Sequence, residues 1–234
     1  MSLNRDQLEK AQAGDPLAQC CVGWAYYHGE GVRKSFRQAV SWYRKAAKGG
    51  NRIAQYNLSL CYLDGEGVRK NLRTAFRWNQ IAANAGHTHA EQMAGWYYYG
   101  GRGVKVDLAK ARRWYLKAAA KGDLSAMFSL GQMAFDQKNF KEAARWFSKA
   151  GKKDHPRSNQ YLGRMLIHGY GVPIDPFRAR VCLKKAVAGG RGFANRLLNG
   201  RKLKRLLVKE TNVAVNGWRR GSLLPEVQSE LHEN

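Results

Sequence analysis

His87 and His89 stand one residue apart, and a close imidazole pair is a natural start for a metal site. A bound zinc needs three or four ligands, and only Glu91 stands near enough in sequence to join them. The pair also falls in a turn between repeating segments, so neither a metal nor a cofactor is expected. The four cysteines, Cys20, Cys21, Cys61 and Cys182, include no CxxC spacing, and adjacent Cys20 and Cys21 leave a helix on different faces. Buried thiols in a reducing compartment are the expectation. Gly-x-Gly strings recur, but they follow helical patterns rather than strands, so they are not phosphate cradles. His28 and His168 both precede such a glycine string, which points to a role in the turn. Asp and Glu total only 17, no acid pair recurs at a fixed distance and no nucleophile elbow is present, so the chain is not expected to be an enzyme.

What remains is the chemistry of binding. Residues 1–100 carry 13 Lys and Arg against 7 Asp and Glu, whereas residues 101–220 carry 28 against 7. The last 14 residues have no Lys or Arg and three Glu, and the whole chain has a net charge of +24. Such a field attracts acidic partners. One set of cations, Lys110, Arg112, Arg113, Lys117 and Lys121, follows helical spacing. Another, Lys184, Lys185, Arg201, Lys202, Lys204 and Arg205, runs toward the end of the chain. An ordinary solvated face is the plain reading of a charge run, but the excess over residues 101–220 is more than solubility requires. Two partner classes stay open: an acidic protein or peptide, and nucleic acid held by its phosphate backbone through residues 101–220.

The elements that must position these residues follow from an internal repeat. Gly29-Glu30-Gly31-Val32 recurs as Gly65-Glu66-Gly67-Val68 and Gly101-Arg102-Gly103-Val104, at steps of 36, and again as Gly169-Tyr170-Gly171-Val172, 68 residues on. A tryptophan column, Trp42, Trp78, Trp114 and Trp146, then Cys182, steps by 36, 36, 32 and 36. The short step has a cause: Phe135 to Phe140 lacks four residues of the glycine-rich loop. Each unit reads as two amphipathic helices, the first carrying Ala18, Val22, Ala25 and Tyr26, the second Ala39, Trp42, Tyr43, Ala46 and Ala47. One helix pair cannot bury both its faces, so the units must stack. The expected fold is all-α, a right-handed α-solenoid of antiparallel helix pairs with five full repeats plus capping helices. The repeats are placed at 15–50, 51–86, 87–122, 123–154 and 155–190, within 15–193. A capping helix lies over 1–14, a basic one over 194–210, and a flexible tail over 211–234, with Trp218 flanked by Arg219 and Arg220.

The hydrophobic fraction of 44% is that of a globular chain, and no apolar run approaches the length of a membrane span. The polar start, Met1 to Gly14, lacks the apolar stretch of a secretory signal, so a cytoplasmic location is expected.

Unit two reads Ala54, Leu58, Tyr62, Gly65, Gly67, Val68, Ala75, Trp78, Ala82, Ala83, Gly86. This pattern resembles the Sel1-like repeat family, a relative of the tetratricopeptide repeats, over residues 15–200. The shortened fourth loop and Cys182 in the tryptophan column depart from it without disturbing the fold. The resemblance implies an adaptor that holds proteins together. Some cysteine-rich secreted relatives are linked to β-lactam binding, but this chain lacks their paired cysteines, so a hydrolase is the last of the readings.

By the same resemblance the first helices line a concave side. A helical wheel sets Cys20, Trp24 and Tyr27 opposite the small-residue stripe, with equivalent columns in the other units. Tyr27, Tyr99 and Phe135 belong to a column that is apolar in every unit, which packing alone explains. Trp24 and Trp96 share theirs with Leu60, Gln132 and Arg164, a variation no core dictates. The expected protein-binding face is Trp24, Tyr56, Leu60, Trp96, Tyr99, Phe128, Gln132 and Arg164, aromatic early and basic late.

Overall fold

The computed structural model describes residues 5–218, with side chains through Lys209. Among them lie thirteen helices and no strand. Helix α1 (Arg5–Gln12) precedes five pairs. These are α2 (Pro16–His28) with α3 (Phe36–Lys48), α4 (Arg52–Asp64) with α5 (Leu72–Asn84), and α6 (Thr88–Gly100) with α7 (Leu108–Ala120). The last two pairs are α8 (Leu124–Asp136) with α9 (Phe140–Gly151) and α10 (Pro156–His168) with α11 (Pro176–Ala188). Helices α12 (Gly192–Leu198) and α13 (Arg201–Trp218) follow. The fold class is an all-α solenoid of helix pairs. The chain forms two compact units, Met1–Ala126 and Met127–Asn234.

Helix starts are set by a side-chain acceptor at a fixed position in each column. Ser35, Asn71, Asp107, Asn139 and Asp175 cap the second helices, each accepting a bond from a backbone N–H three residues on. Asp15, Asn51, His87 and His155 do the same for first helices. First helices of the long-loop repeats end at Gly29, Gly65, Gly101 and Gly169, all left-handed, as the glycine strings demand. In the shortened fourth loop the positive φ falls on Lys138 instead.

In three of the five pairs a ring locks onto a glycine, and in the fifth Leu183 takes the ring's place against Gly163. A Cβ on Gly23 would lie 2.7 Å from the Tyr43 ring, on Gly95 2.6 Å from Tyr115, and on Gly131 2.5 Å from Phe147. Only a bare backbone lets these axes come so close. Repeat two replaces both partners, with Ser59 and Asn79 standing where repeats one, three and four have glycine and a ring. Both are fully buried, and Asn79 Nδ2 donates to the Ala90 carbonyl at 2.9 Å.

Neighbouring repeats are joined by two further devices. The second glycine of a loop sits on the first turn of the second helix one repeat earlier. A Cβ on Gly67 would collide with the Phe36 carbonyl, and one on Gly103 with that of Leu72. In the second unit Gly171 meets Phe140 in the same way. A buried amide supplies the other link: Gln19 Nε2 donates to Ala11 O at 3.1 Å, Gln55 Nε2 to Ala47 O at 3.2 Å, and Asn159 Nδ2 to Gly151 O at 3.3 Å. Each adds a second bond to a helix-end carbonyl that also accepts a turn N–H, from Gly14, Gly50 and Asp154 in turn.

The first unit's core is largely alanine with Val22, Leu58, Tyr43 and Tyr97, whereas the second unit's is richer in bulk, with Phe128, Phe147, Met165, Leu166 and Leu183. The tryptophans at 42, 114 and 146 are half-buried, and Lys45, Lys117 and Lys149 fold over them at 4.3, 4.4 and 5.5 Å. Lys and Trp three apart on a helix are neighbours, and each such contact is worth about 0.5–1 kcal/mol.

The chain's last described part differs from expectation. Instead of one closing helix over 194–210, α12 stops at Leu198 and α13 starts at Arg201. Asn199 and Gly200 break the run, and Gly200 N–H closes a turn on Leu197 O. Helix continues through Trp218, into the segment expected as a flexible tail from 211, while residues 219–234 of that tail lie outside the described residues.

Candidate binding faces

Exposure identifies which side of the first helices is open. In the first unit it is the column set 17, 21, 24 and 28 of α2, with Ile53, Asn57, Leu60 and Asp64 on α4 and His89, Met93, Trp96 and Gly100 on α6. Leu17 is 61% exposed, Ile53 45% and Trp24 38%, unusual figures for large apolar side chains. They converge on a groove of about 320 Å³, completed by Cys21, Asn57 and Gln7. The His28 ring tilts against Trp24 at 4.4 Å and helps hold its edge. Trp96 is different. The Arg102 guanidinium lies 3.8 Å from its ring centroid, so one face is already covered.

In the second unit the same columns carry Ser129, Gln132 and Asp136 on α8, then Arg157, Tyr161, Arg164 and His168 on α10. Here polar and basic groups replace the apolar ones. Lys202 Nζ lies 2.9 Å from His168 Nδ1, and burial together with the Lys202 and Arg164 charges holds that imidazole below its ordinary pKa.

Of the residues expected on the binding face, Trp24, Leu60, Trp96, Gln132 and Arg164 stand in the open column, and Tyr99 is 36% exposed at its edge. Two do not belong there. Phe128 is 3% exposed, a core residue packed on Phe147 and Tyr161. Tyr56 is half-buried, stacked on His87 at 4.7 Å and packed against the Ala82, Ala83, Ala90 and Ala94 cluster. Their column faces the next repeat. At 100° per residue the open face is rotated by about 60° from the expected one, which brings in Leu17, Cys21 and Ile53. Tyr27, in the third expected column, donates its hydroxyl to the Glu66 carboxylate, and that bond with burial raises its pKa.

The candidate chemistry resolves into structure. His87 Nδ1 accepts the Ala90 N–H at 3.2 Å, and His155 Nδ1 that of Ser158 at 3.3 Å, so both are helix caps. Burial, then the charges of His89, Arg52 and Lys121, push His87 down to about 4, and a neutral ring is the form that can accept. Burial pushes the Cys20 and Cys61 thiols up to about 12, which suppresses the reactive thiolate. Cys21, by contrast, is exposed, against the expectation of four buried thiols. Among the described residues no three His, Cys, Asp or Glu gather as a metal site.

The expected basic residues do not form one surface. Lys110, Arg113 and Lys117 line a small groove of about 230 Å³ with Gln80, Tyr98 and Trp114. Arg112 is exposed on the same helix. Lys121 is committed elsewhere: its Nζ donates to Gly86 O at 2.9 Å and to Glu91 Oε1 at 2.8 Å. Glu91 occupies the amide column, where a carboxylate cannot donate to a carbonyl, and Lys121 at the α7 C-cap instead bridges that carboxylate to the Gly86 carbonyl. Lys185 pairs with Asp154 at 2.9 Å, whereas Lys184, Arg201, Lys204 and Arg205 are exposed on α11 and α13. The sequence reading missed Lys141, Arg145, Lys149 and Lys152. Their spacing of four, four and three on α9 was a readable signal.

A solenoid of paired helices, with glycine plugs between repeats and open first-helix faces, defines a helical-repeat protein. The Sel1 repeat profile matches residues 16–51, 52–87, 88–123, 124–155 and 156–190, and the chain belongs to the Sel1 repeat family. Members of this family generally act as non-catalytic protein-interaction scaffolds. Among solved structures, a protective antigen present in uropathogenic Escherichia coli strains, displaying an SLR fold, is 33% identical with a TM-score of 0.77. That alignment covers 80% of this chain and only 41% of the antigen's length. A Sel1 repeat protein from Oxalobacter formigenes is 32% identical with a TM-score of 0.75, over 79% of this chain and 75% of that one. A Klebsiella pneumoniae Sel1 repeat protein, 18% identical with a TM-score of 0.52, covers 83% and 97% and shows likeness of fold alone. No protein of curated function matches the sequence. No helix among the described residues is long and apolar enough to cross a membrane.

Proposed function

We propose that this chain is a non-enzymatic adaptor that holds a protein segment against the first-helix face of its first two repeats, its many cations drawing acidic partners toward it. The observation that carries this is the convergence of exposed Leu17, Trp24 and Ile53 on one groove. Three large apolar side chains left in water at one place are costly for a lone chain and suit an apolar anchor on a partner. The groove spans α2 and α4, so a segment lying across it reads two repeats at once.

Affinity capture from native lysate, with and without nuclease, tests the reading. Trp24→Ala combined with Ile53→Ala should abolish capture of the bound protein while leaving the helical circular dichroism unchanged, because both side chains face solvent. If the double variant captures the same protein undiminished, the groove is not the site. If nuclease alone empties the capture, the adaptor reading gives way to phosphate-backbone binding through residues 101–220.

A further inference from the structure

Helices α9 and α11 of the second unit enclose a groove of about 530 Å³ on the side opposite the first helices' open face. Its walls carry five cations, Lys141, Arg145 and Lys149 from α9, Lys152 at its C-cap and Arg178 from α11, and no carboxylate lines it. Its floor is apolar, formed by Ala144, Val172 and the edges of Leu162 and Leu166. We propose that this groove is a second docking site, for an acidic amphipathic protein segment that sets one or two apolar side chains on the floor and its carboxylates among the cations.

Three features of the groove support that occupant. Lys141, Arg145 and Lys149 follow one another at i, i+4 spacing, where like charges repel, so the row is destabilised until an anion joins it. Asp175 reaches Arg178 only at 3.8 Å, and Glu142 of α9 is outside the groove lining. The apolar floor separates the site from a plain phosphate track. A nucleic-acid backbone needs cations and, for bases, aromatic platforms, whereas the walls here hold no aromatic side chain. The equivalent groove between α5 and α7 is smaller and has Tyr98 and Trp114 where this one has Leu166 and Cys182 in register, Leu166 alone of these lining it. Charge without carboxylates, together with an apolar floor, fits an acidic helix or strand with periodic leucines.

Arg145→Glu gives the test its discrimination. It sets a carboxylate between Lys141 and Lys149, at i, i+4 from each, so the free chain should keep or raise its Tm while the site loses its charge. The probe is a fluorescein-labelled 18-residue peptide with leucine every third or fourth position and glutamate elsewhere, measured by anisotropy at low and physiological salt. Expected is salt-sensitive binding that falls at least tenfold in Arg145→Glu and is not displaced by mixed-sequence RNA or by phosphatidylserine vesicles. Three results would overturn the proposal: no binding of the peptide to the unaltered chain, equal binding by the variant, or displacement by RNA or vesicles at lower concentration than unlabelled peptide.

Discussion

Replacing Gly95 with serine tests the ring-on-glycine lock that sets the spacing inside repeats one, three and four. A Cβ there would lie 2.6 Å from two atoms of the Tyr115 ring, and that ring is 2% exposed, with no free space to retreat into. Overpacking of this kind costs about 1–3 kcal/mol, partly offset by about 0.5 kcal/mol of better helix propensity than glycine. A net loss of about 2 kcal/mol is expected, or about 4–8 °C in Tm for a chain of this size. Tyr115→Asn alone removes the ring from the core and should cost about 3 kcal/mol. The double variant recreates the pair that repeat two already uses, Ser59 with Asn79. Its loss should fall short of the sum of the singles by more than about 1 kcal/mol, because the serine no longer meets a ring. Urea and thermal denaturation followed by circular dichroism measure all four corners of the cycle. Additivity within about 0.5 kcal/mol would show that the close approach is not what selects glycine.

Further outcomes follow from other contacts. His87 titrates near 6.5 when unfolded and about 4 when folded, so the unfolded chain takes up a proton the fold refuses. Stability present at neutral pH is therefore lost as pH falls from 6.5 toward 4. His87→Asn, which keeps a cap like Asn51, should flatten that loss by about 1–2 kcal/mol, discounted for a half-buried ring. Lys121→Met strands the buried Glu91 carboxylate and should cost about 2 kcal/mol, less than a fully buried pair would because the lysine side chain is 42% exposed. Adding Glu91→Gln should restore most of that loss by returning the amide of the other repeats, whereas Lys185→Met, at the exposed Asp154 pair, should leave the melting curve where it was. Gly67→Ala drives a methyl into the Phe36 carbonyl from a left-handed position and should loosen repeats one and two, read as faster amide hydrogen exchange in α3.

The architecture could be read from the sequence because covalent spacing records it: the 36-residue step, the glycine loops and the cap residues all survive without coordinates. The open face could not be read so directly. Ala18, Val22 and Ala25 mark one packed side of α2, and the expected face was set opposite them. Yet α2 is also buried on the side of Cys20, which packs with Leu58 and Cys61 of the following repeat. Two packed sides leave the exposed strip about a quarter-turn from the alanines rather than half a turn. The same error promoted Phe128 and Tyr56 to ligand contacts and passed over Leu17 and Ile53. Ion pairing was hidden for a similar reason: Lys121 and Glu91 are 30 residues apart, and only the packing of α7 against α6 within repeat three brings them together.

The glycine that the loops of repeats two, three and five set on the preceding second helix also bears on how such a chain changes length. Repeats two, three and five each carry a plug that sits in a socket of the repeat before. Copying or deleting one whole segment, at any starting point, leaves plugs and sockets matched in number and register. A partial copy leaves one of them without a mate. Arrays built on this device should therefore gain and lose whole repeats readily, and the binding grooves between adjacent helices would be multiplied or removed with them.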